Sequence, residues 1–157
     1  MAMSKILVVG YGNPLRADDG LGCHVARQIG HHLRGDERVE VVPCHQLAPE
    51  IAEQIAKAEF VIFVDASTQG EPGTITQSTV PADKEFAGKL ADPTTPGMLL
   101  AAAQTMHGAC PSAVMFAMTG WCFEFGEQMS SIVSERFAAL VQMIEKTIAE
   151  NEAAMVS

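Results

Sequence analysis

Positive charge is scarce in this chain. Ten Lys and Arg stand against 19 Asp and Glu over 157 residues, giving a formal net charge of −9. That balance disfavours nucleic acid and anionic membrane as partners and favours a basic segment of another protein. Long apolar runs are missing too: none reaches the roughly 18 residues a membrane span requires. The opening Met1–Lys5 has no charged n-region ahead of an apolar core and cleavage site, so the expectation is a cytoplasmic protein. Cys23, Cys44, Cys110 and Cys122 form no C-x-x-C pair, which argues against structural zinc and thioredoxin-like chemistry. Each lies within or beside an apolar segment and is expected to be a buried free thiol. H-E-x-x-H, the serine nucleophile elbow and the P-loop are all absent. No repeat or linker interrupts the chain, and 157 residues with 48% hydrophobic content suit a single domain spanning 1–157.

What is present alternates between strand and helix signals. Lys5–Val9, Val39–Val42, Phe60–Asp65 and Ala113–Met118 read as strands. The near-continuous apolar run Phe60–Val64 implies burial on both faces, as in a parallel sheet. Thr74–Val80 follows too closely for a helical crossover and reads as an antiparallel edge. Helices are expected over Cys23–Ile29, over Pro49–Ala56 with proline in the first turn, from Thr95 or Pro96 to Met106, and from Ser130 or Ser131 to about Asn151. The order βαβαβ(β)αβα predicts an α/β three-layer sandwich around a mostly parallel twisted sheet with one antiparallel edge strand. Pro81–Pro96 and Gly126–Ser130 read as polar loops suited to flanking a substrate groove. Trp121 and Phe123 follow the last strand; they form either an aromatic patch for a partner segment or packing under the final helix.

The most informative stretch is Gly10-Tyr11-Gly12-Asn13-Pro14-Leu15-Arg16-Ala17-Asp18-Asp19-Gly20-Leu21-Gly22, a strand-to-helix loop. Leu15 stands where a dinucleotide fingerprint needs its third glycine. Two adjacent carboxylates also spoil the helix N-terminus for phosphate. One aspartate can cap the helix while the other is solvated, or the pair can hold a cation. Right-handed crossovers set the ends of the first and third strands side by side, which brings Asp18 and Asp19 towards Asp65. Like charges so placed are costly unless a cation or a proton relieves them.

This opening resembles the signature of the endopeptidases that mature the large subunits of NiFe hydrogenases. Three further segments match in order: Cys44-His45-Gln46-Leu47-Ala48-Pro49-Glu50, Phe63-Val64-Asp65-Ala66-Ser67 followed by Pro72-Gly73, and Phe123-Glu124-Phe125-Gly126. The second of the four looks most like the branch serving cytoplasmic bidirectional or cofactor-linked hydrogenases. The resemblance implies a protease that removes the C-terminal extension of the hydrogenase large-subunit precursor once nickel is in place. Nickel, the implied cofactor, comes with the substrate, and the precursor is the implied partner. The resemblance places metal contact and catalysis at Asp19 and Asp65. It also expects a histidine near Asp92–Thr94, where this chain has none. Asp92 or His45 is therefore the candidate third ligand. A carboxylate there leans towards harder cations, whereas an imidazole restores a site suited to nickel. His107 is a weaker candidate, and His24, His31 and His32 are expected on the first helix.

Metal-assisted hydrolysis then follows, with Asp19 and Asp65 holding the metal and one of them accepting the proton of the attacking water. The carboxylates acting alone as an acid–base pair remain an alternative. Asn13, Arg16 and Asp18 are candidates for positioning the substrate chain. A non-catalytic docking protein or chaperone for the same large subunit is the competing function. A flavodoxin-like small-molecule enzyme is disfavoured by the acidic first loop.

Overall fold

The computed structural model describes residues 5–155. Its strands are β1 (Ile6–Tyr11), β2 (Val39–Cys44), β3 (Phe60–Ser67), β4 (Ile75–Thr79) and β5 (Ser112–Thr119). The helices are α1 (Leu21–His32), α2 (Ile51–Ala56), α3 (Pro96–His107) and α4 (Ser131–Met155). One five-stranded sheet has the order β2-β1-β3-β5-β4. β1 pairs in parallel with β2 and β3, β3 with β5, and β4 closes the edge antiparallel to β5.

Alternation along the strands explains the layers. Ile6, Val8, Ile62, Val64, Phe116 and Met118 face α1 and α4, packing on Leu21, Val25, Ile29, Val133, Leu140 and Ile144. Leu7, Val9, Val61, Phe63 and Ala113 face the other way, onto Ile51 and Ile55 of α2 and Leu99, Leu100 and Ala103 of α3. Both faces of the central strands are thus apolar, which produces continuous hydrophobic runs in place of alternation. The three-layer sandwich with one antiparallel edge is what the sequence predicts. Among the described residues no helix is long and apolar enough to cross a membrane.

Some boundaries differ from expectation. α2 starts at Ile51, and Pro49 lies before it in a turn where its carbonyl accepts from the Ala52 N–H. α4 extends to Met155 rather than Asn151. Ser130, directly before α4, accepts the Ser134 N–H with its carbonyl and donates its hydroxyl to Asp18. α3 is capped as its sequence suggests: the Thr95 side chain accepts from the Met98 N–H, and Pro96 occupies the first turn. Of the cysteines only Cys23 is buried; Cys44 and Cys122 are half-buried and Cys110 is exposed, which corrects the reading of four buried thiols.

Strand order decides where a site can form. From β1 the chain crosses to β2 on one side, and β3 then returns to pair with β1 on the other. Loops leaving the carboxyl ends of β1 and β3 therefore diverge, with α1 on one face and α2 and α3 on the other. A crevice opens between them, as in other open α/β sheets.

Candidate active site

The loop after β1 is built by close backbone approaches. Gly12 has φ +139, and a Cβ there would lie 1.8 Å from the Asp19 carbonyl oxygen. Gly22, at the start of α1, sits so close to the sheet that a Cβ would meet the Val64 and Tyr11 carbonyl oxygens at 2.2 and 2.4 Å. Only glycine permits this contact between helix and strands. Between them Ala17–Gly20 forms a short 3-10 turn, with Ala17 itself at φ 51. Asn13 makes a tight turn in which its side-chain oxygen accepts from the Leu15 N–H at 2.9 Å. Its own N–H donates to Asp19 Oδ2 at 2.9 Å and aims that carboxylate.

Asp65 stands at the carboxyl end of β3. Its Oδ1 accepts from the Ala66 N–H at 2.7 Å, and the Tyr11 hydroxyl donates to its carboxylate. Burial, opposed by these two hydrogen bonds but reinforced by the charge of Asp19, raises its pKa to about 7. The Tyr11 phenol is pushed upward, first by burial and then by the Asp65 charge. Asp19 and Asp65 line one cavity of about 210 Å³, with Tyr11, His45 and Asp92 also on its walls. Both candidate third ligands therefore face the space shared by the two carboxylates. Among the described residues no group of three or more His, Cys, Asp or Glu side chains stands close enough to hold a metal ion by itself.

Asp18 has a different place. It is fully buried, although it is adjacent to Asp19 in the chain. Its Oδ2 accepts from the Trp121 N–H at 2.8 Å, the Cys122 N–H at 3.0 Å and the Ser130 hydroxyl at 2.7 Å. Its Oδ1 accepts from the Ser130 N–H at 2.7 Å. Burial alone would raise its pKa, but these hydrogen bonds outweigh it and hold the carboxylate below its ordinary value. A carboxylate so enclosed cannot touch a substrate. The expectation that Asp18 positions substrate, or caps α1, is corrected: it ties the first loop to the loop before α4.

Arg16 is exposed, and its guanidinium lies 4.7 Å from the centre of the Phe125 ring. Neither Asn13 nor Arg16 lines the cavity; Asn13 reaches it only through its N–H bond to Asp19. His24 is held below its usual pKa by burial and the Arg27 charge, and it lies on α1. His107 ends α3 and takes no part in the cavity. Burial, with the nearby Cys23, pushes the Cys44 thiol up to about 11, so it is no ready nucleophile despite its neighbour His45. Phe123 is folded back against Gly120, whereas Trp121 and Phe125 point outward at 73% and 82% exposure. Phe123 thus packs inward, the alternative expected for it, and the exposed aromatic pair is Trp121 and Phe125. The residue missed from sequence is Tyr11. Its position at the end of β1, next to the strand that ends in Asp65, was the available signal.

The chain matches no protein-family profile and no curated protein. Solved structures do match. HycI, a NiFe hydrogenase maturation protease from Thermococcus kodakarensis, superposes with a TM-score of 0.73 at 23% identity, covering 91% of each chain. The hydrogenase maturating endopeptidase HybD from E. coli gives 0.74 at 19% identity, covering 94% of this chain and 93% of its own. A hydrogenase 2 maturation peptidase from a Thaumarchaeota archaeon gives 0.70 at 20% identity, covering 93% and 99%. From strand order to terminal helix, this chain has the fold of the NiFe hydrogenase maturation proteases.

Proposed function

We propose that this protein belongs to that protease family and removes the C-terminal extension of a NiFe-hydrogenase large-subunit precursor after nickel insertion. The observation that carries the reading is the convergence of Asp19 and Asp65, from separate strand ends, on one cavity that also holds His45 and Asp92. Two aligned carboxylates suit a nickel ion that arrives already coordinated by its own protein. Such an ion needs only one or two further donors, so a complete site within this chain is unnecessary. His45 supplies the softer donor and Asp92 the harder one.

In this scheme nickel is part of the substrate and marks it as ready for cleavage. Asp19, aimed by the Asn13 N–H, contacts the metal centre. Asp65, with a pKa near neutrality, is suited to accept a proton from the attacking water and return it to the departing amine. Tyr11 fixes the orientation of Asp65. The site works where the first and third strands end, so the substrate chain must lie across the carboxyl edge of the sheet.

A second reading has the protein dock on the large subunit without cutting it. Asp92, where the resemblance expects a histidine, favours that reading. The test is a cleavage assay with nickel-loaded and nickel-free precursor, using wild type, Asp19→Asn and Asp65→Asn. Nickel-dependent loss of the extension, abolished in both variants, supports the protease. An intact precursor, in a system where an authentic maturation protease cuts it, leaves only docking.

A further inference from the structure

The loop 120–130 leaves two aromatic side chains facing outward, yet its backbone is tethered at several points. Asp18 binds it from below at Trp121, Cys122 and Ser130. Gly126 is tied to the first loop on both sides: its N–H donates to the Leu15 carbonyl, and its carbonyl accepts from the Ala17 N–H. Phe125 is 82% exposed, Trp121 73% and Leu15 52%. Trp121 also walls an open groove of about 440 Å³ with Pro72, Ser131 and Ile132. Large apolar side chains held outward on a rigid loop resemble the anchors of protein interfaces, because little conformational entropy remains to be lost on binding.

We infer that Leu15, Trp121 and Phe125 form a docking ledge for the polypeptide of the substrate beside its scissile bond, and that this segment is apolar with net positive charge. The inference rests on the protease reading and extends it. Continuity supplies the first argument: the backbone of Leu15 and Ala17 is bonded to Gly126, so the ledge is built on the same loop that carries Asp19 to the acidic cavity. Charge supplies the second. Glu71, Glu124 and Glu127 are exposed around the ledge. Against these three carboxylates stand two cations, Arg16 over the Phe125 ring and Arg136, whose side-chain stem lies beside Gly73, so the balance stays negative. Carboxylates in that setting steer a cationic segment and repel an acidic one.

The probe is the nickel-loaded large-subunit precursor, and the variants are Trp121→Ala/Phe125→Ala, Trp121→Phe/Phe125→Tyr and Glu124→Lys/Glu127→Lys. Loss of the aromatic anchors should raise KM by about tenfold while kcat stays within about twofold and the melting temperature is unchanged. The aromatic replacements should restore KM, and the charge reversal should raise it in a manner that weakens as salt increases. A KM unchanged in the alanine pair, with wild type cleaving normally, overturns the ledge and leaves the protease standing. If wild type binds but does not cut, Kd replaces KM and the same comparison decides. If wild type neither binds nor cuts, both readings fall.

Discussion

Asp18 and Asp19 differ by one position, and the backbone gives them separate tasks. The 3-10 turn aims Asp18 inward to four hydrogen bonds and leaves Asp19 at the cavity. Asp18→Asn keeps the shape but replaces an acceptor-only carboxylate with a group that presents two donors to Ser130 and its neighbours. It should cost on the order of 2–4 kcal/mol, measured by denaturant unfolding. Because the folded pKa of Asp18 is depressed, its contribution is present above the unfolded carboxylate value of about 3.9. It is lost as pH falls through the lower folded value, so the deficit of Asp18→Asn should shrink in acid. Asp65 has the opposite sign. Its folded pKa of about 7 lies above the unfolded value, so the folded state binds the extra proton and stability falls as pH rises through that window. Asp65→Asn should therefore be more stable than wild type at pH 8, by on the order of 1–3 kcal/mol in denaturant unfolding after allowance for partial solvent contact, and lose that advantage towards pH 4. A variant that is more stable yet inactive is what the proposed role of this buried carboxylate predicts.

At the scale of elements, the approach of α1 to the sheet sets the position of the acidic loop. Gly22→Ala inserts a methyl against the Val64 and Tyr11 carbonyls, both in backbone that cannot yield cheaply. It should destabilise the protein by more than about 2 kcal/mol and lower cleavage beyond the stability loss, because Tyr11 and Asp19 move with the helix. Activity at a temperature where the variant remains folded separates the two effects. Much of this was legible in the sequence. The apolar runs of β1 and β3 identified central strands, the close spacing of Thr74–Val80 identified the antiparallel edge, and the convergence of Asp19 with Asp65 followed from crossover handedness. What was not legible depended on which way a single residue turned. Nothing local separates Asp18 from Asp19, since the donors that capture Asp18 lie more than a hundred positions away. Pro49 is compatible with a helix start, but the turn ahead of Ile51 uses it instead. Phe125 rather than Phe123 faces outward because Gly120 leaves a space that Phe123 fills.

For the whole molecule, the sheet divides the apolar interior into two packed regions that share only the strands. Leu100 of α3 and Ile144 of α4 lie in different regions. Leu100→Ala and Ile144→Ala should each cost about 2–5 kcal/mol, and the double variant should show their sum within about 0.5 kcal/mol in denaturant unfolding. Marked non-additivity would mean that the two layers communicate through the strands. The acidic cavity draws on this rigid frame for Asp19 and Asp65, whereas Asp92 is exposed on the loop ahead of α3 and lies outside both packed regions. That division has a consequence for the proposed function. Exchanging oxygen for nitrogen at position 92 alters the donors at the rim while leaving the packed frame that holds Asp19 and Asp65 untouched. Under that reading Asp92→His should change which ion supports cleavage without changing the unfolding midpoint, as denaturant unfolding beside the cleavage assay would check.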